Sequence, residues 1–424
     1  MPFDTISVIG LGYIGLPTAA MFASHKKRVV GVDVNQHAVD TINRGQIHII
    51  EPELDIIVRD VVAEGYLKAI TIPEPADAFL IAVPTPFIKD NGHTPEPDLS
   101  YINSAVKAIA PVLKKGDIVI LESTSPVGST EQMAEWLADT RPDLHFPHQV
   151  GEKADINIAY CPERVLPGHV VRELMENDRV IGGITPKCSE RAKALYKIFV
   201  KGECLVTNAR TAEMVKLTEN SCRDVQIAFA NELSIICDKL EVDVWELISL
   251  ANHHPRINIL RPGPGVGGHC IAVDPWFIVS KTPEEAKLIK TAREVNNRKP
   301  RWVIDKIKVM IADYLQVNHK KTAKDITIAC YGLTFKADID DLRESPALRI
   351  ATKLSEVHPG EVIAVDPNIN TLPENIEQLK LVDLELAVST ADLHVMLVSH
   401  KEFIEYKMFF KIGFRTLDLV GVWS

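Results

Sequence analysis

The 424-residue chain has no apolar run near the roughly 20 residues that a membrane span requires. Its first stretch, MPFDTISVIGLGYIGLP, shows neither a basic leader nor a cleavage site. It also lacks a surplus of positive charge, since 47 Lys and Arg against 57 Asp and Glu leave a formal net charge of -10. That balance argues against a general nucleic-acid or membrane-surface binder, so any anionic ligand must be met by a local basic cluster. The seven cysteines, at 161, 188, 204, 222, 237, 270 and 330, are odd in number, scattered and without a CxxC pair. They fit neither a disulfide framework nor a zinc ribbon, and a cytoplasmic protein with free thiols and no metal is expected. There is no fixed-period repeat and no low-complexity tract.

What is there is an ordinary globular composition, 46% hydrophobic and 25% charged, in a chain too long for one core. The first third alternates short β-branched runs with helical patterns, the mark of a parallel sheet with crossover helices. The expected strands are TISVIG, RVVGVD, AFLIAVP, DIVILES, INIAYCP and DRVIGG. From Thr211 the segment TAEMVKLTENSCRDVQIAFANELSIICDKLEV keeps apolar residues at helical spacing with no Gly or Pro, so one long helix is expected, a spine or a dimer seam. A second helical pattern, EEAKLIKTAREVNNRKPRWVIDKIKVMIADYL, leads through the polar VNHKKTAKD to a smaller α/β unit beginning ITIACYGLTF.

VIGLGYIG places Gly10, Gly12 and Gly15 in G-x-G-x-x-G spacing between a strand and a helix, where backbone N–H groups and the helix N-terminus can receive a pyrophosphate. Asp33 ends the next strand, where a carboxylate can take ribose hydroxyls, and no Arg follows it in VNQHA. NAD is therefore expected over NADP; the alternative is a tight strand–helix turn with no ligand. VPTP with Thr85 and STSPVG with Thr124 fall at strand ends where ligands of open α/β sheets lie, though Pro-flanked threonines are equally ordinary turn formers.

PGPGVGGHCIAVDP puts Cys270 behind four glycines and sets Asp274 four residues on. A thiol at the exit of such a loop can be held as thiolate by backbone N–H groups, or it can be a small buried side chain. Beside a nicotinamide site an activated thiol has a definite use: it adds to an aldehyde, and the thiohemiacetal gives up a second hydride to leave a thioester for water. Lys216 and Asn220, four apart, share a face of the long helix, although a helical Lys is commonly a solvated charge. Glu163, in CPERVLPG, follows a strand and is equally readable as a surface carboxylate. Lys336 and Arg343, in GLTFKADIDDLRESPAL, are a candidate diphosphate clamp or members of an ion-pair surface with Asp338, Asp340 and Asp341. Arg256 and Arg261, just before the cysteine loop, bring further positive charge.

Together GLGYIGLP, VPTP, STSPVGST, CPERVLPG, AEMVKLTENSCRDVQIAFANEL, GPGVGGHCIAVDP, AREVNN and GLTFKADIDDLRESPA resemble the UDP-sugar 6-dehydrogenase family end to end. The resemblance implies a Rossmann-type NAD domain (1–208), a central all-helical dimerisation domain with a long spine helix (209–318) and a smaller Rossmann-like UDP-sugar domain (319–424). It implies a four-electron oxidation at C6 with two NAD and water. Cys270 would be the nucleophile; Lys216, Asn220 and Asp274 would manage the proton and oxyanion around C6; Glu163 would assist thioester hydrolysis. Arg164, Val165, Lys216, Asn220, Arg223, His254, Arg256, Gly267, Phe335 and Lys336 would line the UDP-sugar. Gly10, Gly12, Tyr13, Ile14, Gly15, Asp33, Thr85, Thr124 and Arg343 would face NAD. A homodimer is implied.

Within the family, CPERVLPG and ANHHPRINILRPGPGVGGHCIAVDPWF are most similar to the branch acting on UDP-N-acetyl-D-mannosamine. Arg164 excludes UDP-glucose better than it separates the mannosamine from the UDP-N-acetylglucosamine branch. One departure is Ala337-Asp338, where near relatives carry a Pro-containing pair. A two-electron hydroxyacid dehydrogenase would need neither Cys270 nor the third α/β segment. A nucleotide-sugar or NAD-binding protein without turnover would leave Lys216, Asn220, Cys270 and Asp274 unexplained.

Overall fold

The computed structural model describes residues 3–49, 51–88, 94–166, 168–268, 270–406 and 415–423. Pro167 and His269, inside two of the quoted motifs, lie outside that set. The chain divides into Met1–Glu219 with Trp276–Lys281, and Asn220–Pro275 with Thr282–Ser424.

The first unit is built on an eight-stranded sheet. Its strands run, edge to edge, Cys204–Asn208, Arg179–Gly183, Asn157–Tyr160, Ile118–Leu121, Ala78–Ile81, Thr5–Ile9, Arg28–Val32 and Leu67–Ile70. Neighbours are parallel except for Asn157–Tyr160 with Arg179–Gly183, which is antiparallel. Strands such as AFLI and IVIL are buried along their whole length, as expected where helices cover both faces. One face packs Ile6, Val8, Phe22 and Tyr196; the other packs Val30, Phe79, Ile81 and Val119. The edge strands Leu67–Ile70 and Cys204–Asn208 escaped the sequence pattern, since neither is a run of β-branched residues. Strand order reverses between Thr5–Ile9 and Ala78–Ile81, and their carboxyl ends open the crevice where such sheets bind ligands.

One helix runs Ala209–Leu240 and stops where Glu241 turns left-handed at φ 56, with Val242 N–H returning to the Cys237 carbonyl at 2.9 Å. In the second unit the helix Lys287–Val317 continues through Pro300. Beyond it, a five-stranded parallel sheet runs Lys380–Leu381, Val362–Val365, Ile328–Tyr331, Leu393–Met396 and Arg415–Asp418. Val303 and Ile307 of the helix enter the core of this sheet with Ile328, Leu354 and Leu393.

Both sheets begin with the same turn. Gly10, at φ 90, donates to the Val32 carbonyl at 2.8 Å while Leu11 N–H donates to Asp33 Oδ2 at 2.8 Å. Gly332, at φ 88, donates to Val365 at 2.8 Å while Leu333 N–H donates to Asp366 Oδ2 at 2.7 Å. The expected architecture is present: a larger dinucleotide-type α/β unit, a helical middle and a smaller α/β unit of the same design.

Candidate functional site

The glycines of VIGLGYIG divide into two kinds. A Cβ on Gly15 would lie 1.7 Å from the Gly10 carbonyl oxygen, and one on Gly10 would lie 2.6 Å from that of Ala82. Those two are required by the turn itself. A Cβ on Gly12 would meet nothing within 4 Å, so its bareness serves open space in front of the helix Gly15–Ser24. The half-buried Asp33 accepts Leu11 N–H at 2.8 Å on one oxygen and Asn35 N–H at 2.8 Å on the other. Two carboxylate oxygens offer about four acceptor directions, so the side chain shapes the loop and keeps capacity for ribose hydroxyls. These residues fit NAD. Thr85 Oγ1 donates to the Thr124 carbonyl at 2.6 Å, lacing the two strand-end loops together. Tyr13 is exposed and Ile14 half-buried.

The long helix holds this region through a residue that sequence reasoning missed. Glu213, fully buried, accepts Gly128 N–H at 2.6 Å, Thr130 N–H at 2.8 Å and the Thr130 hydroxyl at 2.6 Å. It caps the helix Ser129–Thr140, which has no cap of its own, and so ties the helical turn preceding Lys216 to the loop of Thr124. Lys216 is half-buried and makes no ion pair among the described residues.

Glu163 is 8% exposed. One oxygen accepts Arg164 N–H at 2.7 Å and the other accepts Arg179 Nη2 at 2.9 Å. Arg179 is itself buried, stacked over the Tyr196 ring at 4.7 Å, and its Nη1 lies 3.8 Å from Cys161 Sγ. Burial opposes its charge, but Glu163 and the other anionic neighbours hold it more firmly protonated than a free Arg. Behind it Tyr196 OH donates to Glu122 Oε1 at 2.6 Å. Burial, tempered by Arg179 and Tyr196, pushes the Glu122 carboxyl up to about 7, and burial pushes the Cys161 thiol up to about 12. Cys161 is thereby inert. Arg164 is forked on Glu219, with Nη2 at 2.6 Å, and Nη1 reaches the Asp178 carbonyl at 3.1 Å; Val165 packs on the sheet core.

In the second unit Asn220 donates to Asp274, a pairing the sequence did not announce. Asp274 is buried and opens the helix Asp274–Lys281; its N–H and that of Val273 donate to the Cys270 carbonyl at 2.8 and 3.0 Å. Cys270 is exposed, as is Cys222, while the other five cysteines are buried. The glycines before it lie close against a neighbouring loop. A Cβ on Gly267 would lie 2.6 Å from the Glu344 carbonyl and 2.8 Å from Phe335 Cβ, and one on Gly268 would lie 3.0 Å from the Phe335 ring. They let the cysteine loop press against the Phe335–Pro346 loop.

Arg343 pairs with Asp341, Nε at 2.9 Å. Lys336, Arg223, Arg256 and Arg261 are exposed and make no ion pair among the described residues; His254 accepts Arg256 N–H at 3.4 Å. Asp338 takes the left-handed conformation at φ 60, its N–H on His400 Nδ1 at 3.0 Å, and this shapes the turn beside Lys336. His400 Nε2 in turn faces Asp366 at 3.2 Å, so the second sheet's carboxylate is occupied from within, unlike Asp33.

Residues 4–200, 210–298 and 329–415 match the NAD binding, central and UDP binding domains of the UDP-glucose/GDP-mannose dehydrogenase family. The chain is 65% identical over its full length, and that of the relative, to a UDP-N-acetyl-D-mannosamine dehydrogenase of Yersinia pestis. It is 60% identical over 422 residues, 100% of this chain and 97% of the other, to an NDP-N-acetyl-D-galactosaminuronic acid dehydrogenase of Ralstonia nicotianae. Among solved structures, a UDP-D-ManNAc dehydrogenase from Pyrococcus horikoshii superposes with a TM-score of 0.86 at 38% identity, covering 99% of this chain and 96% of that one. With matched segments over most of its length and these relatives end to end, the chain belongs to the UDP-glucose/GDP-mannose dehydrogenase family.

Proposed function

We propose that this NAD-dependent nucleotide-sugar dehydrogenase oxidises the C6 hydroxyl of UDP-N-acetyl-D-mannosamine to the carboxylate, consuming two NAD and one water. The observation that carries the reading is an exposed Cys270 one turn before the Asn220–Asp274 pair, in a chain with a dinucleotide turn and 65% end-to-end identity to a relative of that name. The nicotinamide, when bound, accepts hydride. Lys216, Asn220 and Asp274 handle the C6 hydroxyl proton and the developing oxyanion; the Cys270 sulfur adds to the aldehyde carbon and, after the second hydride has left, holds the acyl group as a thioester. Glu163, fixed by Arg179, orients the water that cleaves it. Exposed Arg223, Arg256, Arg261 and Lys336, which make no ion pair among the described residues, supply the cations an acidic protein needs for a diphosphate. Gly10, Gly12, Gly15, Tyr13, Ile14, Asp33, Thr85 and Thr124 hold NAD, while Arg164, Val165, His254, Gly267 and Phe335 line the sugar nucleotide. Arg343, whose guanidinium is paired with Asp341, is the remaining NAD-facing residue of this reading.

The same reading takes 1–208, 209–318 and 319–424 as the functional domains and the cytoplasm as the setting. It makes the protein a homodimer through the central helices, whose exposed Phe229, Ile236 and Leu240 would be covered by a second copy. The relative from Ralstonia nicotianae favours, as a second reading, a different N-acetylated hexosamine. Assay of UDP-glucose and of UDP-N-acetyl-mannosamine, -glucosamine and -galactosamine with NAD separates these. Two NADH per mannosamine substrate is expected; one per sugar at completion sinks the four-electron scheme, and a better rate with another sugar moves the substrate. Cys270→Ser should bind both ligands and form no uronate, and a fully active Ser variant would remove the thioester.

A further inference from the structure

The segment AREVNN, part of the family resemblance but without a role so far, lies on the helix Lys287–Val317. Arg293 is 2% exposed and Asn296 1%, and facing them on the long helix are Asp224 and Asn231, each 0%. Side chains of these types are buried so deeply only when their polar groups are used. Arg293 Nη1 donates to Asp224 Oδ1 at 2.6 Å, and Asn296 Nδ2 donates to the same oxygen at 2.8 Å and to the Asp224 carbonyl at 3.1 Å. Asn231 Nδ2 donates to Asn296 Oδ1 at 2.9 Å, and Asn231 Oδ1 accepts Gly263 N–H at 2.9 Å. At the other end Arg293 Nη1 also faces the Ile271 carbonyl at 3.5 Å.

The chain of bonds therefore begins at Gly263 and returns at Ile271, on either side of Cys270, and among the described residues it touches the loop through the backbone. The middle of the loop rests on the same helical turn. Pro300 has no N–H to give the Asn296 carbonyl, and a Cβ on Gly265 would lie 3.3 Å from that carbonyl oxygen and from Pro300 Cγ. Joining two helices does not call for this, because well-packed apolar side chains do so without the desolvation of buried charge. A loop with glycines at 263, 265, 267 and 268 does call for it, since glycine leaves the backbone many conformations to lose.

We infer that Asp224, Asn231, Arg293 and Asn296 are positioning residues that hold the loop 263–271 in the one conformation that presents the Cys270 thiol to the reacting carbon. The inference rests on Cys270 being the nucleophile. It is a directional device: amide and guanidinium bonds set the loop's position to a fraction of an ångström, and a displacement of about 1 Å can cost a reaction about 100-fold.

The test uses the full-length protein, with Arg293→Lys keeping the charge opposite Asp224 but losing the fork, and Asn231→Asp keeping the acceptor for Gly263 but losing the donor to Asn296. Iodoacetamide labelling is followed peptide by peptide. Cys222, exposed and outside the loop, is the internal reference, and the five buried cysteines report unfolding. The expected result is a Cys270-to-Cys222 labelling ratio altered about threefold or more and a kcat about 10- to 100-fold lower, with KM for NAD within about twofold and the buried cysteines unlabelled. Either variant with the parent ratio and kcat overturns the inference, and so does lost activity that appears only together with labelling of the buried cysteines. Cys270→Ala runs alongside: if it still yields two NADH per sugar, the nucleophile reading has failed. If it is dead while Arg293→Lys and Asn231→Asp behave as the parent, only the positioning inference has.

Discussion

Arg179 donates to Glu163 at 2.9 Å with both side chains under 10% exposed, and the same guanidinium lies over the ring of Tyr196, which donates to Glu122. One cation thus serves two buried carboxylates, Glu163 and Glu122. Removing it by Arg179→Met leaves those charges uncompensated, and a loss of about 3 to 5 kcal/mol is expected in urea unfolding. Arg179→Lys should recover part of the stability, while thioester hydrolysis, read as the second NADH and uronate release, stays slowed.

Glu122 makes stability depend on pH. Its folded pKa is raised from 4.5 to about 7, so the folded state binds its proton more tightly than the unfolded chain does. The resulting stability is fully present below about pH 4.5 and is lost as pH rises through about 7, an amount of about 3 kcal/mol. Glu122→Gln keeps an acceptor for Tyr196 and should flatten this part of the unfolding free energy between pH 5 and 8. An unchanged slope would mean that another group carries the titration.

The glycines allow a paired test of which serve a ligand. Gly12→Ala meets open space and should leave the melting temperature unchanged while weakening NAD binding about tenfold, as read by titration. Gly267→Ala meets the Glu344 carbonyl at 2.6 Å and should destabilise the second unit by about 1 to 3 kcal/mol before any ligand is added.

Glu213→Ala removes the cap on Ser129–Thr140 and leaves two backbone donors unpaired. A cost of about 1 to 2 kcal/mol is expected, with the urea m-value unchanged. Glu213→Gln, which keeps one acceptor, should fall between.

Local rules made much of this legible. The β-branched runs, the Gly10-x-Gly12-x-x-Gly15 turn and Asp33 at the next strand end announce themselves because a strand–turn–helix unit needs those residue types within a short span. The long helix was readable to within two residues at each end, because apolar spacing marks its body; its stop at Leu240 depends on Glu241 turning left-handed, which no residue type required. The second helix was readable through Pro300 because that proline interrupts one hydrogen bond without altering the apolar stripe.

The rest was decided between residues far apart in sequence. Glu213 reaches Thr130, Arg179 reaches Glu163 and Asn231 reaches both Gly263 and Asn296, and in each case the residue type alone reads as a solvated surface group. The glycines before Cys270 illustrate the limit: composition says the backbone comes close to something, and only packing says that the something is the Phe335–Pro346 loop. By itself the sequence determined the kinds of element, the dinucleotide turn and the presence of one cysteine in a glycine loop, since these follow from local sterics and periodicity. Tertiary structure decided which polar groups lose their water and find partners, because burial and long-range hydrogen bonding exist only once the sheets and helices have packed.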